Sequence, residues 1–213
     1  MGRAGLGCCE TTTRRSAVHP FAIVLPAAGT SSRMGGADKL LEPVDAVPLL
    51  QVMAGRACAT GAAVAVTLRP GDTARATVLE GLPLSVIAVP DAGEGMAASL
   101  RAGARWATGR AGALMVLLPD MPGITSADMT ALFAAWQDNP ERPLRAATAD
   151  GQPGHPVILP PARWPAMARL QGDAGARDLV TDAGLHPLPG QRAVTDLDTP
   201  TAWAAWRAGH AAN

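Results

Sequence analysis

The chain has 213 residues, with 18 basic and 18 acidic side chains, a formal net charge of zero and 48% hydrophobic residues. That length and apolar content suit one domain around a single large core, and the neutral balance leaves no electrostatic footprint for DNA, RNA or an anionic membrane. Aromatic residues make up only 3% and tyrosine is absent, which argues against stacking platforms for single-stranded nucleic acid and favours a small-molecule substrate.

Residues 1–18 read as a flexible tail ahead of one domain over residues 19–213. Arg14-Arg15 before the apolar residues 21–28 faintly imitates a twin-arginine export signal, but the stretch is short and runs straight into a glycine-bearing loop. Cys8, Cys9 and Cys58 are an odd set without CxxC spacing, so neither a zinc site nor a disulfide framework is indicated, and a reducing cytoplasm is the expected setting. No apolar run reaches the roughly 18 residues that a membrane-spanning helix needs.

Continuous apolar runs predict buried strands over 21–25, 62–68, 84–89 and 112–118. Alanine-rich stretches between them predict helices over 48–60, 73–81 and 95–108, with Pro48 in a first turn and Gly61 at a C-terminal stop. Strands alternating with helical crossovers imply an α/β fold: three layers, Rossmann-like, with a mostly parallel central sheet and helices on both faces. Ligands in such a sheet bind at the carboxyl ends of the strands. Past residue 140 the pattern breaks into Pro- and Gly-rich pieces, densest at Gly151-Gln152-Pro153-Gly154-His155-Pro156. A last helix is expected over 202–212, with Thr199 as its N-cap.

The loop leaving the first strand carries the strongest chemical signal. It runs Ala27-Ala28-Gly29-Thr30-Ser31-Ser32-Arg33-Met34-Gly35-Gly36-Ala37-Asp38-Lys39, and Lys39 is the single lysine among 18 basic residues. Small residues let backbone N–H groups approach phosphate oxygens, and a compact ammonium sits among several such oxygens in a way a planar guanidinium does not. Arg33 adds charge. A Walker A loop requires Ser or Thr after the lysine, where this chain has Leu40, and the GxGxxG dinucleotide fingerprint is absent. At the end of the fourth expected strand, Pro119-Asp120-Met121-Pro122 places a carboxylate where it can hold Mg²⁺ over the same crevice. A second acidic cluster, Asp196-Leu197-Asp198-Thr199-Pro200, lies near the C-terminus. His19, His186 and His210 lack ligand spacing, and five tryptophans suit packing better than a substrate cage.

The series LPAAGTSSRMGGADKLL, GEGMAASLRAG, PDMP, GQPGHPVIL, LQGDAGARDLV and DLDTP resembles the molybdenum cofactor nucleotidyltransferases, and within them the cytidylyl-transferring branch. It covers residues 21 to about 203. The resemblance implies a Mg²⁺-dependent nucleotidyltransferase that moves CMP from CTP to the terminal phosphate of molybdopterin and releases pyrophosphate. A molybdenum hydroxylase or insertion chaperone would be the protein partner. It implies nucleotide binding by Ala27, Ala28, Gly29, Thr30, Ser31, Arg33, Gly35 and Lys39, with Gly95, Met96, Ser99 and Leu100 along base and ribose. Arg33, Lys39 and Asp120 would be catalytic, Asp120 with Asp196 or its rival Asp198 would bind metal, and His155, Asp173 and Arg177 would lie near the pterin. Pro26, Val89 and the spelling RMGGADK depart from the cytidylyl pattern. A guanylyl or sugar-phosphate nucleotidyltransferase therefore stays open, as does a non-catalytic cofactor carrier.

Overall fold

A computed structural model describes residues 19–30, 37–172 and 177–210. The tail expected over 1–18 lies outside them. β1 (Ala22–Pro26) leads to a hairpin of β2 (Pro43–Val44) and β3 (Val47–Pro48), then α1 (Leu49–Cys58), β4 (Ala63–Leu68), α2 (Thr73–Thr77) and β5 (Ser85–Ala88). Next come α3 (Met96–Ala107), β6 (Leu114–Val116), α4 (Ser126–Trp136), β7 (Leu144–Ala147), β8 (Pro153–Leu159), α5 (Trp164–Met167), β9 (Gly184–Pro187) and α6 (Pro200–His210).

Seven strands form one sheet in the order β5-β4-β1-β6-β8-β7-β9. β8 runs antiparallel to both its neighbours and every other pairing is parallel, so six of the seven strands point the same way. The alternation of side chains along each strand builds a layer on either face. Ile23 and Leu25 of β1 pack with Leu49, Leu50 and Met53 of α1, Met129 and Leu132 of α4 and Trp203 of α6. Ala22 and Val24 pack on the other side with Leu100 and Ala104 of α3 and Trp164 and Met167 of α5. This is the expected three-layer α/β architecture. Among the described residues no helix is long and apolar enough to cross a membrane.

The four expected strands and four expected helices all form, most with shorter ends, although β1 runs on to Pro26 and the last helix begins at Pro200, two residues before its expected start. Pro48 sits one residue outside α1, in extended geometry, rather than in its first turn. α2 stops at Thr77, four residues before the expected end. α4 is an addition, although Thr125 and Asp128 form a reciprocal capping box visible as T-x-x-D. The stretch expected to be irregular, residues 151–156, instead feeds β8. A central strand seldom accepts proline, because it removes a ladder donor. Pro156 is accommodated because the β7–β8 register shifts between Arg145 and Ala147, so it falls at a bulge. Gly154 has its own reason. A Cβ there would lie 1.8 Å from the Ala193 carbonyl oxygen, and that oxygen accepts a hydrogen bond from His155 N at 2.8 Å.

Candidate functional site

β1 sends its connection out to β4 and β5 on one side, and the chain then returns to β6 on the other. The carboxyl ends of β1 and β6 therefore flank the topological switch point, where a crevice opens without any special sequence. A cavity of about 350 Å³ occupies it, lined by residues 26, 27, 29 and 30 after β1, Lys39 and Leu40, and residues 118–120 after β6. Gly95, Met96 and Ser99 at the start of α3 close the far side, with Arg69, Arg75 and Asp198.

Asp120 is fixed by its neighbours. Arg56 of α1 donates to the carbonyls of Pro122 at 2.6 Å and Ile124 at 2.8 Å, anchoring the loop that follows it. The Asp120 carbonyl accepts from Leu197 N at 2.9 Å. Leu197 is buried, so the residues on either side of it, Asp196 and Asp198, are carried to the Asp120 carboxylate. One ligand oxygen from each of the three carboxylates lies within 4.8 Å of the others. Lys39 reaches into this group from the β1 side, its Nζ 2.5 Å from Asp120 Oδ2 and 2.5 Å from Asp198 Oδ1. Burial opposes the ammonium charge, but Asp120 and then Asp198 outweigh it and hold the Lys39 pKa above its ordinary value. Asp196 is shifted in the same direction, which for an acid disfavours the charged form. Partial desolvation and then the charges of Asp198 and Asp120 raise its pKa.

The three carboxylates fit a hard divalent cation, which takes oxygen ligands. Asp120 Oδ1 is buried and has no hydrogen-bond partner among the described residues, an acceptor left without a donor beside an oxygen of the same carboxylate that Lys39 bonds. The ammonium of Lys39 bonds Asp120 and Asp198, so a metal ion and this lysine would compete for the same group of oxygens.

The remaining wall is backbone. The N-cap of α3 is Gly95, whose φ of 89° suits glycine and which has no side chain to cap the first-turn amides. Arg101 holds the preceding loop through Glu94 at 2.6 Å and Asp91. Ser99 is buried at the cavity edge, whereas Leu100 turns into the core. Ala27 and Ala28 are buried, and Gly29 and Thr30 are exposed.

Ser31, Arg33, Gly35 and Asp173 lie outside the described residues. Arg177 is exposed at the start of a short 3₁₀ turn, and His155 does not line the cavity. His155 Nδ1 is buried and has no hydrogen-bond partner among the described residues. Burial, and next the Arg145 guanidinium, push the His155 pKa down to about 4 against the pull of Asp120, so it is neutral near pH 7. Four arginines that the motifs did not single out shape the site: Arg56, Arg69, Arg75 and Arg145. Arg69 follows directly on β4, so the rule that ligands gather at carboxyl ends of strands was a signal for it.

The sequence profile of the MobA-like NTP transferase domain matches residues 22–188. The chain belongs to that family. It is accordingly a nucleotidyltransferase by family, with the transferase fold described above. Rv0371c of Mycobacterium tuberculosis H37Rv is similar in structure, with a TM-score of 0.71, 24% identity, and coverage of 89% of this chain and 98% of that one. A homologue of Rv0371c from Mycobacterium sp. strain JC1 gives a TM-score of 0.73 and 25% identity over 89% and 96% of the two chains. CMP:2-keto-3-deoxy-manno-octonic acid synthetase complexed with CTP matches with a TM-score of 0.68 and 16% identity over 90% and 98%. No curated protein sequence matches the chain significantly.

Proposed function

We propose that this nucleotidyltransferase transfers CMP from CTP to the terminal phosphate of molybdopterin or the molybdenum cofactor, releasing pyrophosphate. The observation that carries the reading is the meeting of Lys39, Asp120, Asp196 and Asp198 over the carboxyl ends of β1 and β6, beside a cavity that Gly29, Thr30, Arg69 and Gly95 also line. The cytidylyl choice rests on the sequence segment Gly95 to Leu100, whose residues Gly95, Met96 and Ser99 line that cavity. A fold shared with a synthetase seen with CTP is consistent with it.

The acceptor phosphate is an anion at neutral pH and needs no general base. Its oxygen forms a bond to the α-phosphorus of CTP as the bond to the β-phosphate bridging oxygen breaks, and pyrophosphate leaves with that electron pair. The protein must align two anions and neutralise their repulsion. Lys39, with Arg33, is assigned to the triphosphate. An ammonium about 4 Å from a phosphate charge contributes roughly 4 kcal/mol at an effective dielectric of 20, before desolvation. Where that interaction grows in the transition state, it supplies up to about a thousandfold in rate. Asp120, with Asp196 or Asp198, is assigned to Mg²⁺, which when bound neutralises phosphate oxygens. His155, Asp173 and Arg177 are assigned to the pterin on the family resemblance alone. A neutral His155 offers one unpartnered ring nitrogen there, and Arg145, next to it, brings a cation.

The test is pyrophosphate release by the purified protein with Mg²⁺, molybdopterin and each nucleoside triphosphate in turn. Release with CTP alone is expected. Release with GTP but not CTP contradicts the cytidylyl assignment, and binding without turnover would leave a carrier.

A further inference from the structure

Arg75 lies on α2, a five-residue helix at the molecular surface, where a basic side chain would ordinarily reach into solvent. It is instead 97% buried, at 3% relative exposure. Its guanidinium has turned inward onto the loop after β1. Nε and the second terminal nitrogen each donate to Asp38 at 2.7 Å, one to each carboxylate oxygen, while Nη1 donates to the carbonyls of Ala27 at 2.6 Å and Gly29 at 2.7 Å. Arg69, six residues earlier, donates from Nε to the carbonyl between them, that of Ala28, at 2.7 Å. Three successive carbonyls of the nucleotide loop are thus held by two arginines from the β4–α2 connection. Asp72 supports the arrangement by capping α2 and lying 3.6 Å from Arg75.

In a planar trans peptide the N–H points opposite to the C=O. Tying back the carbonyls of residues 27, 28 and 29 therefore turns the amides of Ala28, Gly29 and Thr30 away from the arginines, as donors a phosphate oxygen can use. The same fork also fixes Lys39. Asp38 Oδ1 accepts from Leu40 N at 3.1 Å as well as from Arg75, so the turn that carries Lys39 is gripped on both sides of it. Arg69 spends one nitrogen on Ala28, has no carboxylate partner among the described residues and lines the cavity.

We infer that Arg75 is a positioning residue that sets the nucleotide loop and Lys39, and that Arg69 both holds the loop and touches the triphosphate. The inference rests on the reading of the site as a nucleotide site. A lysine has no fork, so Arg75→Lys keeps the charge but loses the simultaneous grip on two carbonyls and both oxygens of Asp38. At Arg69 the charge facing the phosphate matters more, and lysine is a fair replacement.

The experiment uses the full chain with two probes. Calorimetry measures the Kd for CTP with Mg²⁺, and trinitrobenzenesulfonate measures how fast the one lysine is labelled, with peptide mapping to separate it from the N-terminal amine. Arg75→Met and Arg75→Lys are both expected to weaken CTP binding about tenfold or more and to change the Lys39 labelling rate. Arg69→Met is expected to weaken CTP about tenfold with labelling of Lys39 unchanged, and Arg69→Lys to recover most of that loss. If Arg75→Met does not fold, Asp38→Asn carries the test, because it breaks the fork and is expected to alter labelling with Arg75 in place. Wild-type CTP affinity and labelling in Arg75→Lys would overturn the positioning role, and wild-type affinity in Arg69→Met would overturn the contact. If the wild-type protein binds no CTP, the nucleotide reading fails, while labelling still reports whether Arg75 sets Lys39.

Discussion

The two walls of the cavity are built by opposite means. On the β1 side the loop is finished: Arg75 and Arg69 hold carbonyls 27, 28 and 29, and the charge of Arg75 is matched by Asp38. On the β6 side the site is unfinished. Three carboxylates converge, Asp120 Oδ1 has no donor among the described residues, and burial, then the charges of Asp198 and Asp120, push Asp196 toward its protonated form. The contrast separates two jobs. On the proposed function, a wall that presents donors to a phosphate gains from pre-organisation, whereas a wall that takes up a cation keeps acceptors unsatisfied for the ion.

If the acidic wall is where catalysis depends on an incoming cation, Asp120→Asn should have the largest effect. It is expected to lower kcat by about a thousandfold while circular dichroism remains that of the folded protein. A loss under tenfold would place the reactive centre elsewhere.

A smaller effect belongs to His155, behind that wall. Its folded pKa of about 4 lies below the ordinary 6.5, so between these values the unfolded chain binds more protons than the folded one. Stability is therefore lost as pH falls from 6.5 toward 4, by up to about 3 kcal/mol for a shift of this size. His155→Asn should flatten the acid side of the curve of Tm against pH. An unchanged acid limb would show that the ring protonates freely.

Asp196→Asn should have the smallest effect. A carboxyl group whose folded pKa is raised favours its neutral form, so the folded protein is penalised once pH rises above both the unfolded and the folded pKa. The variant should melt above the wild type at pH 7 in the absence of metal and no higher at pH 3. A lower Tm at pH 7 would show that Asp196 is held by attraction.

Asp120 was legible in the sequence as a carboxylate at the end of the fourth expected strand, whereas Asp196 and Asp198 were linked to it only through the family resemblance, because no expected strand carries them. The sheet was legible as far as its strands are continuous apolar runs. β8 and β9 escaped because their sequences carry Pro and Gly, which in β8 make sense only with the bulge opposite Pro156 and the approach of Ala193 to Gly154, and β7 escaped because its four residues, Leu-Arg-Ala-Ala, form no continuous apolar run. Arg75 was hidden for a different reason. Its neighbours in sequence suggest a short surface helix, and partners far away in the chain, the Asp38 carboxylate 37 positions earlier and the carbonyls of Ala27 and Gly29, draw it inside.

The most direct test of the account is Mn²⁺ binding, followed by electron paramagnetic resonance with and without CTP, in the wild type and in Lys39→Met. Since the ammonium already bonds Asp120 and Asp198, the wild type should bind Mn²⁺ weakly alone and about tenfold or more tightly with CTP, which gives the ammonium other oxygens. Lys39→Met should bind Mn²⁺ tightly without nucleotide and gain little from CTP. Equal Mn²⁺ affinity in both proteins, indifferent to CTP, would contradict the claim that lysine, metal and triphosphate share one site.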